Sequence, residues 1–168
     1  MKKLILGLVV MAGMWSCIEQ EPDQYTGRQL EFELFKSSDY DFDGNLVIKE
    51  LTNGNLELTL RMDGPTSNTD YTFPSHLHFG SYDQADSPIA FILNPVSAKD
   101  LKSVTQLGQL SDGSRLTIEE MSQFDGHVKV HLANEGPDYG VILVAGNVGS
   151  NSSAGFDPQK VAICGKDF

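Results

Sequence analysis

The stretch "DYDFDGNLVIKE", Asp39–Glu50, decides between two folds. Its residues fit the pattern of an EF-hand calcium loop: Asp39, Asp41 and Asp43 have ligand spacing, Gly44 stands at the turn, and Glu50 stands where the bidentate carboxylate belongs. An EF-hand also needs a helix that continues from the final glutamate. Here Asn53-Gly54, the strongest short signal for a β-hairpin, follows soon after Glu50. The stretch therefore predicts a tight acidic turn that enters a β-strand.

This prediction bears directly on calcium. On a strand, the chain moves about 3.3 Å per residue, so Glu50 would end roughly 20 Å from Gly44. A loop that lacks its bidentate glutamate should bind calcium no better than the weakest extracellular modules. Asp39, Asp41 and Asp43 are therefore expected to form at most a weak calcium site, and calcium is not expected as a functional cofactor.

The residues beyond the turn alternate between apolar and polar side chains. The apolar ones are Leu56, Leu58, Leu60 and Met62. A period of two predicts a strand with one face in a core. Further strands are predicted at "SHLHFG", "IAFILNPV", "HVKVHLA", "YGVILVAGNVG" and "KVAICG". One helix is predicted at "LTIEEMSQF", where Thr117 and Glu120 have capping-box spacing. The pattern predicts an all-β, Greek-key β-sandwich with one short helix.

The first residues predict export from the cytoplasm. Lys2 and Lys3 precede the apolar run "LILGLVVMAGMW", which is too short for a membrane-spanning helix. The predicted organisation is a signal peptide over residues 1–16, a polar tether over 17–27 and a single domain over 28–168.

"MWSC", which ends the apolar run, resembles the lipobox of bacterial lipoproteins. The resemblance implies that Cys17 is lipidated and becomes the first mature residue. It also implies an outer-membrane lipoprotein of the cell envelope, periplasmic or surface-exposed, that meets the membrane through its lipid. The alternative is an ordinary secretory signal. If Cys17 carries lipid, Cys164 has no disulfide partner, because the chain contains 2 cysteines. Cys164 is then expected as a small buried side chain.

Charge and motifs exclude several classes of function. The formal net charge of −11 argues against nucleic acid as a partner. The glycine-containing segment "GNVGSNSSAG" leads to a loop with proline, so no phosphate-binding loop is predicted. No arrangement of a nucleophile with a neighbouring base is indicated either. The sequence does not identify a protein or small-molecule partner.

The 4 histidines come as two pairs on predicted strands. His76 and His78 share one face of their strand, and so do His127 and His131 on theirs. If the two strands are neighbours, the imidazoles converge on a patch suited to copper or zinc, with His127 the weakest candidate. The alternative is a set of separate exposed histidines, and Lys129 between His127 and His131 favours it. Imidazole binds metal only when neutral, so affinity should fall below about pH 6.5.

Two families resemble this chain at the histidine strands. "SHLHFG" is similar to the His-x-His strand of copper/zinc superoxide dismutases, and this resemblance implies a metalloenzyme of that type as one alternative. Those enzymes also need a histidine-bearing zinc loop and a late arginine. This chain has no histidine between His78 and His127 and no arginine after Arg115, so dismutase activity is not expected.

The second family is the CHRD (chordin-type) domain, which the chain resembles from about Gly44 to Gly149. The similar segments are "SHLHFG", "LSDGSRLTIEEM" and "HVKVHLANEGPDYGVILVAGNVG", in which His131 closes "VKVH". The resemblance implies an immunoglobulin-like or superoxide-dismutase-like sandwich without catalytic activity. The function expected from the sequence is thus a surface-anchored, non-catalytic binding module, with copper or zinc on its histidine-bearing face.

Overall fold

The structure is a computed structural model, and it describes residues 24–151 and 153–163. The predicted signal peptide, the lipidation site Cys17 and the predicted core residue Cys164 lie outside these residues. The first strand begins at Tyr25. Residues 25–27, the end of the predicted tether, are therefore part of this strand.

The described residues form eight strands and one short α-helix, which confirms the all-β class. The strands are β1 (Tyr25–Lys36), β2 (Asp43–Leu51), β3 (Leu56–Asp63), β4 (Thr72–Phe79), β5 (Ile89–Ser97), β6 (Lys102–Gln106), β7 (Asp125–His131) and β8 (Ile142–Gly149). The helix α1 is Ile118–Ser122, and Pro137–Gly140 and Pro158–Lys160 are 3-10 helices. Thr117 caps α1 and forms the predicted capping box with Glu120.

The strands pair in the order β5-β4-β7-β8-β1-β2-β3-β6, and every pair is antiparallel. β1 pairs with β2 along most of its length and with β8 at Phe35 and Lys36. The terminal strands β5 and β6 approach each other. There the backbone N–H of Asn94 donates a hydrogen bond to the Thr105 hydroxyl oxygen over 2.9 Å, and the Asn94 side-chain amide donates to the Val104 carbonyl over 2.7 Å. The sheet is thus nearly closed into a barrel.

The opening stretch is a hairpin, as the sequence predicts. β2 runs from Asp43, and it pairs with β3 around a turn in which Gly54 has a φ of +82°. Glu50 lies near the far end of β2, where its carboxylate accepts hydrogen bonds from Thr26 (2.8 Å) and Arg28 (3.3 Å). The glutamate of the EF-hand pattern is therefore a partner of β1.

The core lies inside the curved sheet. β2 and β3 contribute alternate residues to it, since Leu46 pairs with Leu60 and Ile48 with Leu58. The strands β4, β7 and β8 are different, because nearly all their residues are buried on both faces. Their inner face packs in the core, and their outer face is covered by loops. That second buried face contains the histidines.

The segment that follows β8 differs from the sequence prediction. The predicted strand "KVAICG" is wrong over the residues that can be compared: Lys160 ends a 3-10 helix, residues 161–163 have no regular structure, and Ile163 is exposed. An extended pattern of apolar residues does not form a strand without a partner edge.

Within residues 24–151 and 153–163, no helix combines the length and apolar character needed to cross a membrane.

Candidate metal centre

The two histidine pairs lie side by side because β4 and β7 are neighbours. His78 is directly opposite His127, and His76 is opposite Lys129. Since the side chains of a strand alternate between faces, His131 lies on this face too. We call these five residues the histidine face. His78, His127 and His131 are fully buried and His76 is half-buried, so the alternative of separate exposed histidines is wrong.

Each buried histidine of this face is held by a backbone carbonyl of a covering loop. Nδ1 of His78 lies 3.1 Å from the Ser87 carbonyl, Nδ1 of His127 lies 2.7 Å from the Gly80 carbonyl, and Nδ1 of His131 lies 3.0 Å from the Tyr139 carbonyl. A carbonyl oxygen only accepts, so Nδ1 carries the proton in each ring. In the neutral ring the lone pair is then on Nε2, the atom that can bind a metal.

Three of the four histidines come together as a triad. His76, His78 and His131 each offer a ring nitrogen, and these atoms all lie within 4.8 Å of one another. Nitrogen ligands of a tetrahedral zinc ion are about 3.4 Å apart, given zinc–nitrogen bonds of about 2.0–2.1 Å. Closing on an ion thus requires a shift of about 1 Å. His76 is suited to move, since it is half-buried and its Nδ1 has no hydrogen-bond partner among the described residues.

His127 lies outside the triad. Its ring stacks on that of His78, with centroids 4.8 Å apart and planes at 7°. Its Nε2 is buried without a hydrogen-bond partner in the part of the chain that the structure describes. The ring of His127 therefore packs against His78 without joining the triad. The rings of His76 and His131 contact each other within the triad, with their centroids 5.1 Å apart.

Burial keeps these rings neutral. Desolvation, followed by the positive charge that His127 would carry, lowers the pKa of His78 to about 3. Desolvation also lowers the pKa values of His127 and His131 to about 4, and it lowers that of His76. Neutral imidazole is the form that binds metal. The loss of metal affinity in acid is therefore expected at a pH below the 6.5 of an exposed histidine.

Lys129 lies on the histidine face, and its charged group binds a backbone carbonyl of the covering chain. Its Nζ donates to the Ala162 carbonyl over 2.6 Å, and only 1% of the residue is exposed. The segment that supplies this carbonyl is fixed by a hydrogen bond from the Ala162 N–H to the Tyr82 carbonyl and by the stacking of Phe156 on Phe35. The lysine that argued against a metal site thus has a separate partner in the covering chain.

A cleft of about 580 Å³ leads to the triad. One wall is β5, with Ile89 and Ile92, and the other is the loop before β8. The residues that line the cleft are His76, Ile89, Ile92, Asn134, Glu135, Gly136, Pro137 and Tyr139. Tyr139 has a double role, because its ring stacks on His131 at 4.8 Å while its carbonyl orients the same imidazole.

The acidic loop has no comparable convergence. The Asp41 side chain is 94% exposed and receives a hydrogen bond from Lys36 over 3.1 Å, and Asp43 is already part of β2. Asp39, Asp41 and Asp43 do not form a group of close ligand atoms; in the described residues the histidine triad is the one such group of three. Weak calcium binding by this loop stays a prediction without geometric support.

Sequence reasoning missed the residues that cover the histidine face. The carbonyls of Gly80, Ser87 and Tyr139 carry no side-chain signal, and the cleft residues Asn134 and Glu135 look like ordinary loop residues. Only "GPDYG" gives a hint, because a tyrosine in a tight turn needs a surface to pack on.

Comparisons with protein-family models, curated proteins and solved structures gave no match to this chain. The CHRD and dismutase resemblances therefore rest on their short motifs.

Proposed function

We propose that this protein is a non-catalytic binding module that holds one copper or zinc ion on His76, His78 and His131. The observation that carries the proposal is the approach of three ring nitrogens within 4.8 Å of one another. Imidazole suits both metals. Two of the three rings are also oriented by backbone carbonyls, the kind of outer contact that fixes histidine ligands in known metal sites.

The electrostatics of the site support a metal as well. A buried cluster of imidazoles is costly as a set of cations, and the lowered pKa values of His78 and His131 keep both rings neutral and ready to bind. Residues that serve packing alone would not need three nitrogens directed at one space.

The surrounding assignments belong to the same proposal. We propose that the domain is a Greek-key sandwich of the CHRD type and that Cys17 anchors it by lipid to the outer membrane of a bacterial envelope. A lipid anchor with several acyl chains holds a protein firmly at a membrane. The net charge of −11 supports a role that excludes nucleic acid.

Metal titration with a matched pair of variants tests the proposal. Zinc or copper(I) should bind to the wild-type domain in a ratio of one ion per chain, read by a competing chromophoric chelator. His76→Ala should lower the affinity by about 100-fold, because a site with two ligands replaces one with three. His76 is the half-buried member of the triad, so its removal is the least disruptive to folding.

The control is His127→Gln, which alters a buried imidazole outside the triad. This variant should keep the stoichiometry and lose less than about tenfold in affinity, the lower range of the effect of an outer contact. Equal affinities of the wild type and His76→Ala would refute the site. Thermal unfolding of each variant without metal separates lost ligands from lost structure.

A further inference from the structure

The cleft beside the histidine triad has the dimensions of a ligand site. Its volume of about 580 Å³ lies within the range of roughly 300–1,000 Å³ that is typical of small-molecule pockets. His76 belongs both to the triad and to the lining of the cleft. An ion on the triad would therefore lie where the cleft ends.

The cleft reaches the triad at His76. The carbonyls of Ser87 and Tyr139 hold His78 and His131 from their Nδ1 sides. His76, in contrast, is half-buried and borders the cleft. A metal with three protein ligands keeps a fourth position for water or another molecule. That position would open toward His76 and the cleft.

We propose that the cleft binds a small molecule that completes the coordination of the ion with one donor atom and lays an apolar group against Ile89 and Ile92. This inference rests on the proposed metal site. It goes beyond it by naming the chemical class of the ligand: a hydrophobic molecule that carries one metal-binding donor atom, such as the ring nitrogen of a heterocycle.

The apolar part of the proposal follows from the register of β4 and β5. Ile92 is the cross-strand partner of His76, and Ile89 is the partner of His78. Ile92 is 71% exposed, although it stands directly beside a triad histidine. Pro137 and the Tyr139 ring form the opposite wall. A flat hydrophobic group held between these walls would bury apolar surface on both of its faces.

Calorimetry of the zinc-loaded protein with two probes tests the inference. Imidazole supplies the donor alone, and 4-phenylimidazole supplies the same donor with an apolar group. The second probe should bind about tenfold more tightly, because its ring reaches the isoleucine wall. Ile92→Ala should reduce this preference to about threefold or less. The control Val104→Ala changes an exposed aliphatic residue on β6, outside the cleft lining, and should leave the preference intact.

The outcomes separate the two proposals. A protein that contains zinc but binds both probes equally, or that keeps the full preference in Ile92→Ala, overturns the cleft inference and leaves the metal site standing. Tight binding of 4-phenylimidazole to the zinc-free protein also overturns it, since the ion is then not a partner. A protein that takes up no zinc overturns the proposed function and this inference with it.

Discussion

The acidic loop and the histidine face differ in how well their sequence patterns predict a metal site. The loop matches a calcium motif position by position, yet its aspartates face solvent and Glu50 binds Thr26 and Arg28 on β1. The histidines match no complete motif, yet three of them direct ring nitrogens into one space. A metal site depends on where flanking elements carry the ligands. Strand register joined His76 to residues of β7 that are far away in sequence.

The pH dependence of stability should show the largest difference between the two regions. His78, His127 and His131 have pKa values near 3, 4 and 4 in the folded metal-free protein, against about 6.5 when unfolded. The unfolded state therefore binds more protons between about pH 6.5 and pH 4, and stability falls as pH falls through this window.

The total loss should reach several kcal/mol, because each unit of lowered pKa corresponds to about 1.4 kcal/mol. Urea unfolding of the metal-free domain at a series of pH values measures it. His127→Gln should flatten the profile, whereas Asp41→Asn should leave its shape between pH 6.5 and pH 4 unchanged. A free energy of unfolding that stays constant across the window would show that the rings are not buried as neutral groups.

Removal of one buried ligand should give the next largest effect. His131→Gln should lower zinc affinity by about 100-fold, because it removes a ligand that Tyr139 orients. The triple variant Asp39→Asn, Asp41→Asn, Asp43→Asn should bind zinc within about twofold of the wild type, since these exposed charges are screened. Chelator competition measures both. A larger loss in the triple variant would place the ion at the acidic loop instead.

The smallest effect is expected at Glu50. Glu50→Gln weakens its pairing with Arg28 and Thr26, which should cost about 1 kcal/mol or less in the free energy of unfolding. Calcium affinity should not change, and it should be millimolar at best. Calorimetry with calcium and urea unfolding measure the two quantities. Micromolar calcium binding that disappears in this variant would mean that the loop closes as an EF-hand in solution.

The sequence contains enough information for the strands but not for what covers them. Alternation at Leu56, Leu58 and Leu60 and the turn at Gly54 predict β3 and its hairpin, because local geometry decides both. Alternation also places His76 and His78 on one face. It cannot show that this face is buried, since the covering carbonyls come from loops as distant as Gly80 and Tyr139.

The same limit explains the errors. Lys129 looked like an exposed charge between two histidines, because its partner Ala162 is near the other end of the domain. "KVAICG" has the composition of a strand, but Asn94 already joins β5 to β6. These contacts occupy backbone and side-chain groups at that junction that a further strand would need. Whether an apolar segment becomes a strand depends on a free edge, which no local pattern reports.

The contact at Asn94 also has a consequence for self-association. An exposed strand edge presents unpaired N–H and C=O groups, to which a second chain can add its own strand. Here the two terminal strands meet, and the Asn94 amide occupies the Val104 carbonyl that would otherwise accept a hydrogen bond from another molecule. One side chain thus protects the seam of the sheet against the strand-to-strand pairing from which fibres grow.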